Sequence, residues 1–315
     1  MSNFVIIPDS SSDMVASLRE RFNVPKVIRG TLYHPDGRQD LSDIDWETMT
    51  PEEFYNSMKG RNILYKTATP PRGEVIEIFE SFLKEGKDVL SISLSSALSG
   101  TYQNSVSIAE ELMKKYPERK IACIDSMRYG SAQTLLVSLA CQKRDSGATL
   151  EETAEYLNNI KHSIHQMGPL DDLFFCVKTG RISNFKAIFG TLIGVNSMGD
   201  FSNAGLAAVM GKVKGHRAAL ETTVAYVKKT IKNPEEQIIF IGHSNREESA
   251  NYLAQRIKEE INPKEVIINP IGMSCGSSIG PGLCSAYFLG DPISENNEVE
   301  IATFNEAAAE VKNKK

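Results

Sequence analysis

The sequence predicts an α/β fold of two α/β domains, an N-terminal parallel sheet with helices on both faces followed by a second domain with a mixed sheet. Three observations carry that expectation. Short apolar runs alternate with segments of helical period through the first half. At 315 residues the chain is long for one core and suits two domains of ordinary size. Hydrophobic residues at 41% and charged residues at 24% are ordinary for a soluble globular protein.

Taken in order, Phe4–Pro8 reads as a short buried strand and Lys26–Tyr33 as a second. Thr50 caps a helix whose first position is Pro51, with Glu53 placed to reach back. Thr69-Pro70-Pro71 opens a helix over about Gly73–Lys84, with Val75, Ile76, Phe79 and Leu83 on one face. Strand Val89–Leu94, helix Tyr102–Tyr116, strand Lys120–Asp125 and a long helix from about Ser131 to Arg144 follow. Such alternation indicates a parallel sheet covered by helices. Thr149 and Glu152 form a capping box for a helix to about Met167. The domain change is placed near Gly168-Pro169, giving domains 1–167 and 168–290. The second holds strand Leu173–Val177, an apolar stretch Ala187–Val195 and a Gly-rich strand pair around Phe201–Lys214. Helix Arg217–Lys232 and strand Gln237–Gly242 come next, then a Ser244/Glu247 capping box before helix Glu248–Ile261, and strand Val266–Ile271. Residues 291–315 are expected to form a polar tail, with Asn305–Lys314 a short helix or frayed.

The formal charge of −5 argues against a dedicated nucleic-acid binder, which would show a basic domain or stripe. Five cysteines, odd in number and with no C-x-x-C pair, point to reduced buried thiols rather than zinc or a disulfide framework. The N-terminus has no charged lead or cleavable apolar core, and no apolar run approaches the ~18 residues of a membrane span. A soluble cytoplasmic protein is expected.

The most informative stretch is Val89–Ser105. An apolar strand stops in Ser95, Ser96, Ser99, Gly100 and Thr101, and a helical pattern starts at once with Tyr102, Val106, Ala109 and Leu112. Such a junction aims amides and hydroxyls at one spot, which suits a carboxylate or phosphate. Asp9-Ser10-Ser11-Ser12-Asp13 and Asp125-Ser126 also follow strands, so Asp9, Ser95, Ser96 and Asp125 are expected to gather at the carboxyl ends of a parallel sheet, where ligands bind. The commoner role for Asp9 and its serines is capping. Gly272-Met273-Ser274-Cys275-Gly276 fits the nucleophile elbow of serine hydrolases. Gly276, Gly280, Pro281 and Gly282 argue against the helix the elbow needs, and no histidine follows His243 in the chain. Gly211-Lys212 is not a P-loop, because Leu206 and Val213 replace the required glycine and hydroxyl residue. His162 and His165, three apart on an expected helix, read as exposed surface histidines rather than metal ligands.

Several segments together resemble the DegV family of two-domain fatty-acid-binding proteins, up to about Gly290. Leu94–Ser105 is similar to that family's most specific signature, and Asp9-Ser10 with Asp13 to its first-strand D-S-x-x-D. Asp171–Ser183 is similar to the segment that opens its second domain, His216-Arg217-Ala218 to a helix start, and Ile279–Gly282 to the end of its H-x-G-P-G loop. The resemblance implies a protein without catalytic chemistry or cofactor of its own. It would hold a long-chain fatty acid between its domains and present the carboxylate to a partner fatty acid kinase, with transient membrane contact compatible with lipid exchange. It implies Thr67, Ser95, Ser96 and Ser278 as ligand-binding positions and Arg181, with Arg217 as a weaker candidate, as partner-docking positions.

Four departures from the family pattern stand out. Its T-S-Q-P reads Thr67-Ala68-Thr69-Pro70, its G-G-R-I glycine pair is Thr179-Gly180, and its S-x-G-x-G becomes Gly130-Ser131-Ala132-Gln133-Thr134 after bulky Arg128 and Tyr129. The histidine of H-x-G-P-G is Ser278, which can donate a hydrogen bond but cannot carry a positive charge or shuttle a proton as histidine does. The competing class is an enzyme, a phosphotransferase or hydrolase acting on a small anionic substrate in the same cleft. Asp9 and Asp125 are its only candidates for a general base beside Ser95 and Ser96. A soluble sugar- or anion-binding protein is the third.

Overall fold

Residues 3–182 and 194–314 are described by a computed structural model. In chain order they form β1 (Phe4–Pro8), α1 (Ala16–Arg21), β2 (Thr31–Tyr33), β3 (Gln39–Leu41), α2 (Pro51–Met58), β4 (Lys66–Ala68), α3 (Arg72–Lys84), β5 (Asp88–Ser93), α4 (Thr101–Lys115), β6 (Ile121–Asp125), α5 (Ser131–Asp145) and α6 (Leu150–Ile160). There follow β7 (Ile164–Leu170), α7 (Phe174–Thr179), β8 (Val195–Phe201), β9 (Ala207–Lys214), α8 (His216–Thr230), β10 (Ile238–His243), α9 (Glu247–Ile261), β11 (Glu265–Pro270), α10 (Met273–Ile279), β12 (Cys284–Leu289) and α11 (Glu298–Asn313). The residues divide into two compact units. One spans Met1–Thr48, Tyr65–Lys161 and Gly272–Ser274; the other spans Met49–Leu64, His162–Ile271 and Cys275–Lys315.

The first unit is built on a parallel sheet of order β1-β5-β6, registered Ile6↔Leu90 and Leu90↔Ala122. Apolar residues of α3 (Val75, Phe79, Leu83) and α4 (Ile108, Ala109, Leu112) pack with Ile7 and Val89 of the strands in one cluster. Helices α5 and α6 pack on each other and on the same strands. Small side chains let α5 be buried almost all round, from Ser131 to Cys141. A small antiparallel sheet, β3-β2-β4, completes the unit. The second unit carries a mixed six-stranded sheet, β11-β10-β12-β7-β8-β9, in which only β10 and β11 run parallel. Its core joins Met167, Met198, Ile239, Ile241 and Phe288 of the strands to Leu220, Val224, Leu253, Ile257 and Phe304 of α8, α9 and α11.

Two of the three expected capping boxes form, at Thr50/Glu53 and Thr149/Glu152. Other expectations are corrected. The strand expected over Lys26–Tyr33 is confined to Thr31–Tyr33, with only an isolated bridge from Ile28 to Asp9 before it. The helix expected to reach Met167 stops at Ile160, and Ile164–Leu170 is a strand buried along its whole length. Gly168-Pro169 therefore lies within that strand, where a side chain at 168 would collide with Cys284 and Ser285. Leu173–Val177 is not a strand but the start of α7. The Asp172 carboxylate accepts the Phe174 amide at 2.9 Å, and Gly180, at φ +70°, ends the helix, so local capping overrides the β preference of Phe-Phe-Cys-Val. Ser244 makes no capping box, because its hydroxyl accepts the Leu283 amide at 2.8 Å and α9 starts without a side-chain cap. His165 is buried in β7 rather than exposed on a helix. The expected polar tail is largely α11, whose Phe304 and Ala307 are buried; Gly211 on β9 leaves the room that the Phe304 ring fills. Most of the Ala187–Val195 stretch, and Ser183, lie outside the described residues.

Candidate functional site

Three parallel strands of the first unit end together in acid- and hydroxyl-bearing loops. Past β1, Asp9 caps a single 3-10 turn, Ser10–Ser12, its Oδ1 accepting the Ser11 amide at 2.8 Å. Its Oδ2 accepts the Leu94 amide at 2.7 Å, which fastens the end of β5 to the end of β1. Burial pushes the Asp9 carboxyl up to about 6, against the pull of the Leu94 and Ser11 amides and the Gln133 carboxamide. Past β6, Asp125 Oδ1 accepts the amides of Ser96 at 3.1 Å and Met127 at 3.0 Å.

The loop after β5 is consequently more committed than its sequence suggests. The Leu94 and Ser96 amides go to Asp9 and Asp125, the Ser95 amide to Arg128 O, and the Ala97 and Leu98 amides to Ser95 itself. The expectation of unpaired amides directly past Leu94 is corrected, because Asp9 and Asp125 take the Leu94 and Ser96 amides; Asp9 also takes the capping role read as the commoner one. Ser95 is fully buried, whereas Ser96 is partly exposed. The Ser99 hydroxyl lies 2.9 Å from Thr101 Oγ1 and receives the Thr101 amide at 3.3 Å. The N-cap of α4 is Gly100, which has no side chain to cover the first-turn amides. Thr67 sits exposed at the middle of β4 opposite Leu32. Its segment adjoins the loop, since Asn104 on α4 donates to Pro70 O at 3.3 Å and Thr69 lies against Gly100.

The structure adds residues that sequence reasoning did not gather. Ser274 Oγ lies 2.8 Å from both Ser10 Oγ and Ser42 Oγ, and Asp13 Oδ1 accepts the Gly272 amide at 2.8 Å. Burial raises Asp13 to about 8, and it occupies the left-handed region at φ +51°. The only local signal was the G-x-S-x-G spacing. The helix thought to be missing after that serine does form, as α10, because Gly276 leaves room for Phe54 and Tyr55.

The remaining positions lie in the second unit. Ser278, on α10, is partly exposed. Arg181 is exposed just past Gly180, and its guanidinium donates to Thr179 O. Arg217, exposed at the start of α8, stacks over Tyr252 at 3.4 Å from the ring centre. Its neighbour His216 lies 2.8 Å from Ser249 Oγ, and burial lowers the His216 pKa. A charged cleft of about 330 Å³ in this unit is lined by Lys59, Arg61, Asp171, Asp172, Asn245 and Arg246, among others. The five cysteines are free, and burial pushes Cys123, Cys141, Cys176 and Cys284 up to about 12. Among the described residues no cluster could hold a metal ion, and no helix is long and apolar enough to cross a membrane.

A family model described as "Uncharacterised protein, DegV family" matches residues 3–291. The chain belongs to the DegV family. A DegV domain-containing protein of Clostridium perfringens is 33% identical over 291 residues, covering 92% of this chain and 99% of that one. Helix α11 lies beyond the family match. Among solved structures, a fatty-acid-binding DegV family protein from Thermus thermophilus superimposes with a TM-score of 0.81 at 22% identity, covering 91% of this chain and 99% of that one. A DegV family protein from Ruminococcus gnavus, refined with vaccenic acid, gives 0.80 at 20% identity, with coverage of 91% and 100%. These likenesses establish the DegV fold, a parallel three-stranded sheet and a mixed six-stranded one within an α/β protein.

Proposed function

We propose that this DegV protein binds a long-chain fatty acid and presents its carboxylate to a partner fatty acid kinase, which phosphorylates it. The observation that carries the reading is the loop after β5, where the buried Ser95 hydroxyl takes the Ala97 amide, Ser96 is partly exposed, and the N-cap of α4 is a glycine that makes no side-chain cap bond. The fatty acids bound by the Thermus and Ruminococcus proteins support the choice of ligand. Each buried methylene stabilises the complex by roughly 0.8 kcal/mol, so the tail supplies most of the affinity. A buried carboxylate without donors would be strongly disfavoured, so the head-group contacts supply the selectivity. Thr67, Ser95, Ser96 and Ser278 are assigned to that end, and Arg181 and Arg217 to kinase docking. Ser278 donates a hydrogen bond but brings no charge, so the acyl-phosphate step gains no cation from this position.

Mass spectrometry of the protein purified natively and then denatured should release long-chain fatty acid in near-stoichiometric amount; several preparations without any would overturn the reading. Ser96→Ala should lower fatty-acid affinity about fivefold, the loss of one hydrogen bond. Arg181→Glu should leave lipid binding intact and abolish acyl-phosphate formation with the kinase present. Unchanged turnover would remove Arg181 from the docking surface.

A further inference from the structure

We infer that Ser10 is a further head-group donor and that Ser274 is the residue that positions it. The inference rests on the fatty-acid reading and adds two residues to it. Ser274 Oγ stands 2.8 Å from Ser10 Oγ and 2.8 Å from Ser42 Oγ, and Ser10 Oγ also receives the Gly30 amide at 3.1 Å. A hydroxyl has one hydrogen, so Ser274 donates to Ser10 or to Ser42 but not fully to both at once. When Ser274 donates to Ser10 rather than to Ser42, both lone pairs of Ser10 are filled, one by Ser274 and one by the Gly30 amide. Its own hydrogen then goes to a further acceptor. Ser10 is only 5% exposed, so that acceptor is an interior group rather than bulk water. A carboxylate, which only accepts, selects this direction of the relay.

The place agrees with the chemistry. A side chain on Gly30 would stand 2.9 Å from Ala68 O and 3.6 Å from Ser10 Oγ, so Ser10 neighbours the Thr67-Ala68 strand through a glycine that permits the close approach. On its other side Asp9 ties the same turn to Leu94, directly before Ser95 and Ser96. Ser10 thus lies between the two first-unit segments assigned to the head group. Ser274 belongs to the Gly272–Gly276 motif, which the fatty-acid reading otherwise leaves without a role.

The test compares binding of hexadecanoate and its methyl ester, which share a tail and differ in the head group. The unaltered protein should bind the acid and prefer it to the ester; failure to bind either removes the fatty-acid reading itself. Ser10→Ala and Ser274→Ala should each lower affinity for the acid about fivefold, the scale of one lost hydrogen bond, and affinity for the ester by less, because an ester carbonyl accepts more weakly than a carboxylate. Ser274→Thr, which keeps a hydroxyl, should restore the preference. Ser274→Cys, close in volume but a weak donor, should behave as the alanine variant and serves if Ser274→Ala does not fold. If the unaltered protein prefers the acid and the variants keep the same acid-to-ester ratio, the relay has no part in the head-group site.

Discussion

In the first unit, the buried carboxyl of Asp9 is held by two backbone amides and a carboxamide, and Asp13 takes the Gly272 amide. In the second, Asp200 faces His165 Nδ1 at 2.8 Å as well as Tyr226 and two amides, while Asp171 and Asp172 pair with Arg246 and Arg61. Amides and a carboxamide leave Asp9 and Asp13 with raised pKa values, because hydrogen bonds offset only part of the desolvation. The first unit therefore holds both buried acids through neutral donors, which solvate the ionised form less fully than water does. Neutral donors also avoid the desolvation of a second charge that a buried ion pair entails.

The largest test of this contrast is Asp200→Ala. It would strand four donors in the interior of the second unit, and stability in urea should fall by about 3–5 kcal/mol. A loss below about 1 kcal/mol would mean that the His165–Asp200–Tyr226 cluster is replaceable packing. Asp9→Ala, the counterpart in the first unit, should cost about 2 kcal/mol through the exposed need of the Leu94 and Ser11 amides. Hydrogen exchange should also quicken at Leu94–Ser96. Unchanged exchange would show that Asp9 does not fasten the loop.

How much of this was legible varies with the range of the forces involved. Thr50 with Glu53 and Thr149 with Glu152 satisfy amides three residues away, so both helix starts could be read directly. Phe4–Pro8 and the loop from Ser95 to Thr101 were equally plain, because strand, turn and helix signals are local. Ser244 with Glu247 has the same spacing but forms no box, since its hydroxyl is taken by Leu283, 39 residues away. The Ser10–Ser274 contact spans 264 residues and Ser42–Ser274 spans 232, so no pattern along the chain could join them. The same holds for the longer-range bonds of Asp9 and Asp125: the local cap of Asp9 on Ser11 was readable, but its bond to Leu94, 85 residues away, and that of Asp125 to Ser96, 29 residues away, were not. Residues 49–64 and 272–274 likewise carry no local mark of the unit whose core they join.

A pH series sharpens the contrast next. Asp13 is raised from 3.8 to about 8, so between those values the folded protein holds a proton that the unfolded chain has released. The contribution is fully present below about pH 4 and is lost as pH rises toward 8. Asp13→Asn has no proton to lose and can still accept from Gly272. Its stability relative to the unaltered protein should rise with pH by about 1.4 kcal/mol per unit across that window. Thermal unfolding at several pH values checks this. A constant difference would mean that Asp13 is ionised in the fold.

The smallest effect belongs to the exposed ion pairs of the second unit. Arg61 lies 2.8 Å from Asp172 and its guanidinium stands 4.9 Å from the Phe174 ring centre, but its side chain is 49% exposed. Arg61→Ala should therefore cost about 0.5–1 kcal/mol, a partly screened pair plus a weak ring contact. The backbone there sits at φ +64°, a conformation that glycine adopts freely and alanine does not. Arg61→Gly loses the same side-chain contacts yet relieves that strain, so it should stay within about 0.5 kcal/mol of the unaltered protein. If both variants instead lost several kcal/mol, solvent-facing pairs would matter as much as the buried Asp200 cluster. The weight of a charged pair in this unit would then not follow its burial.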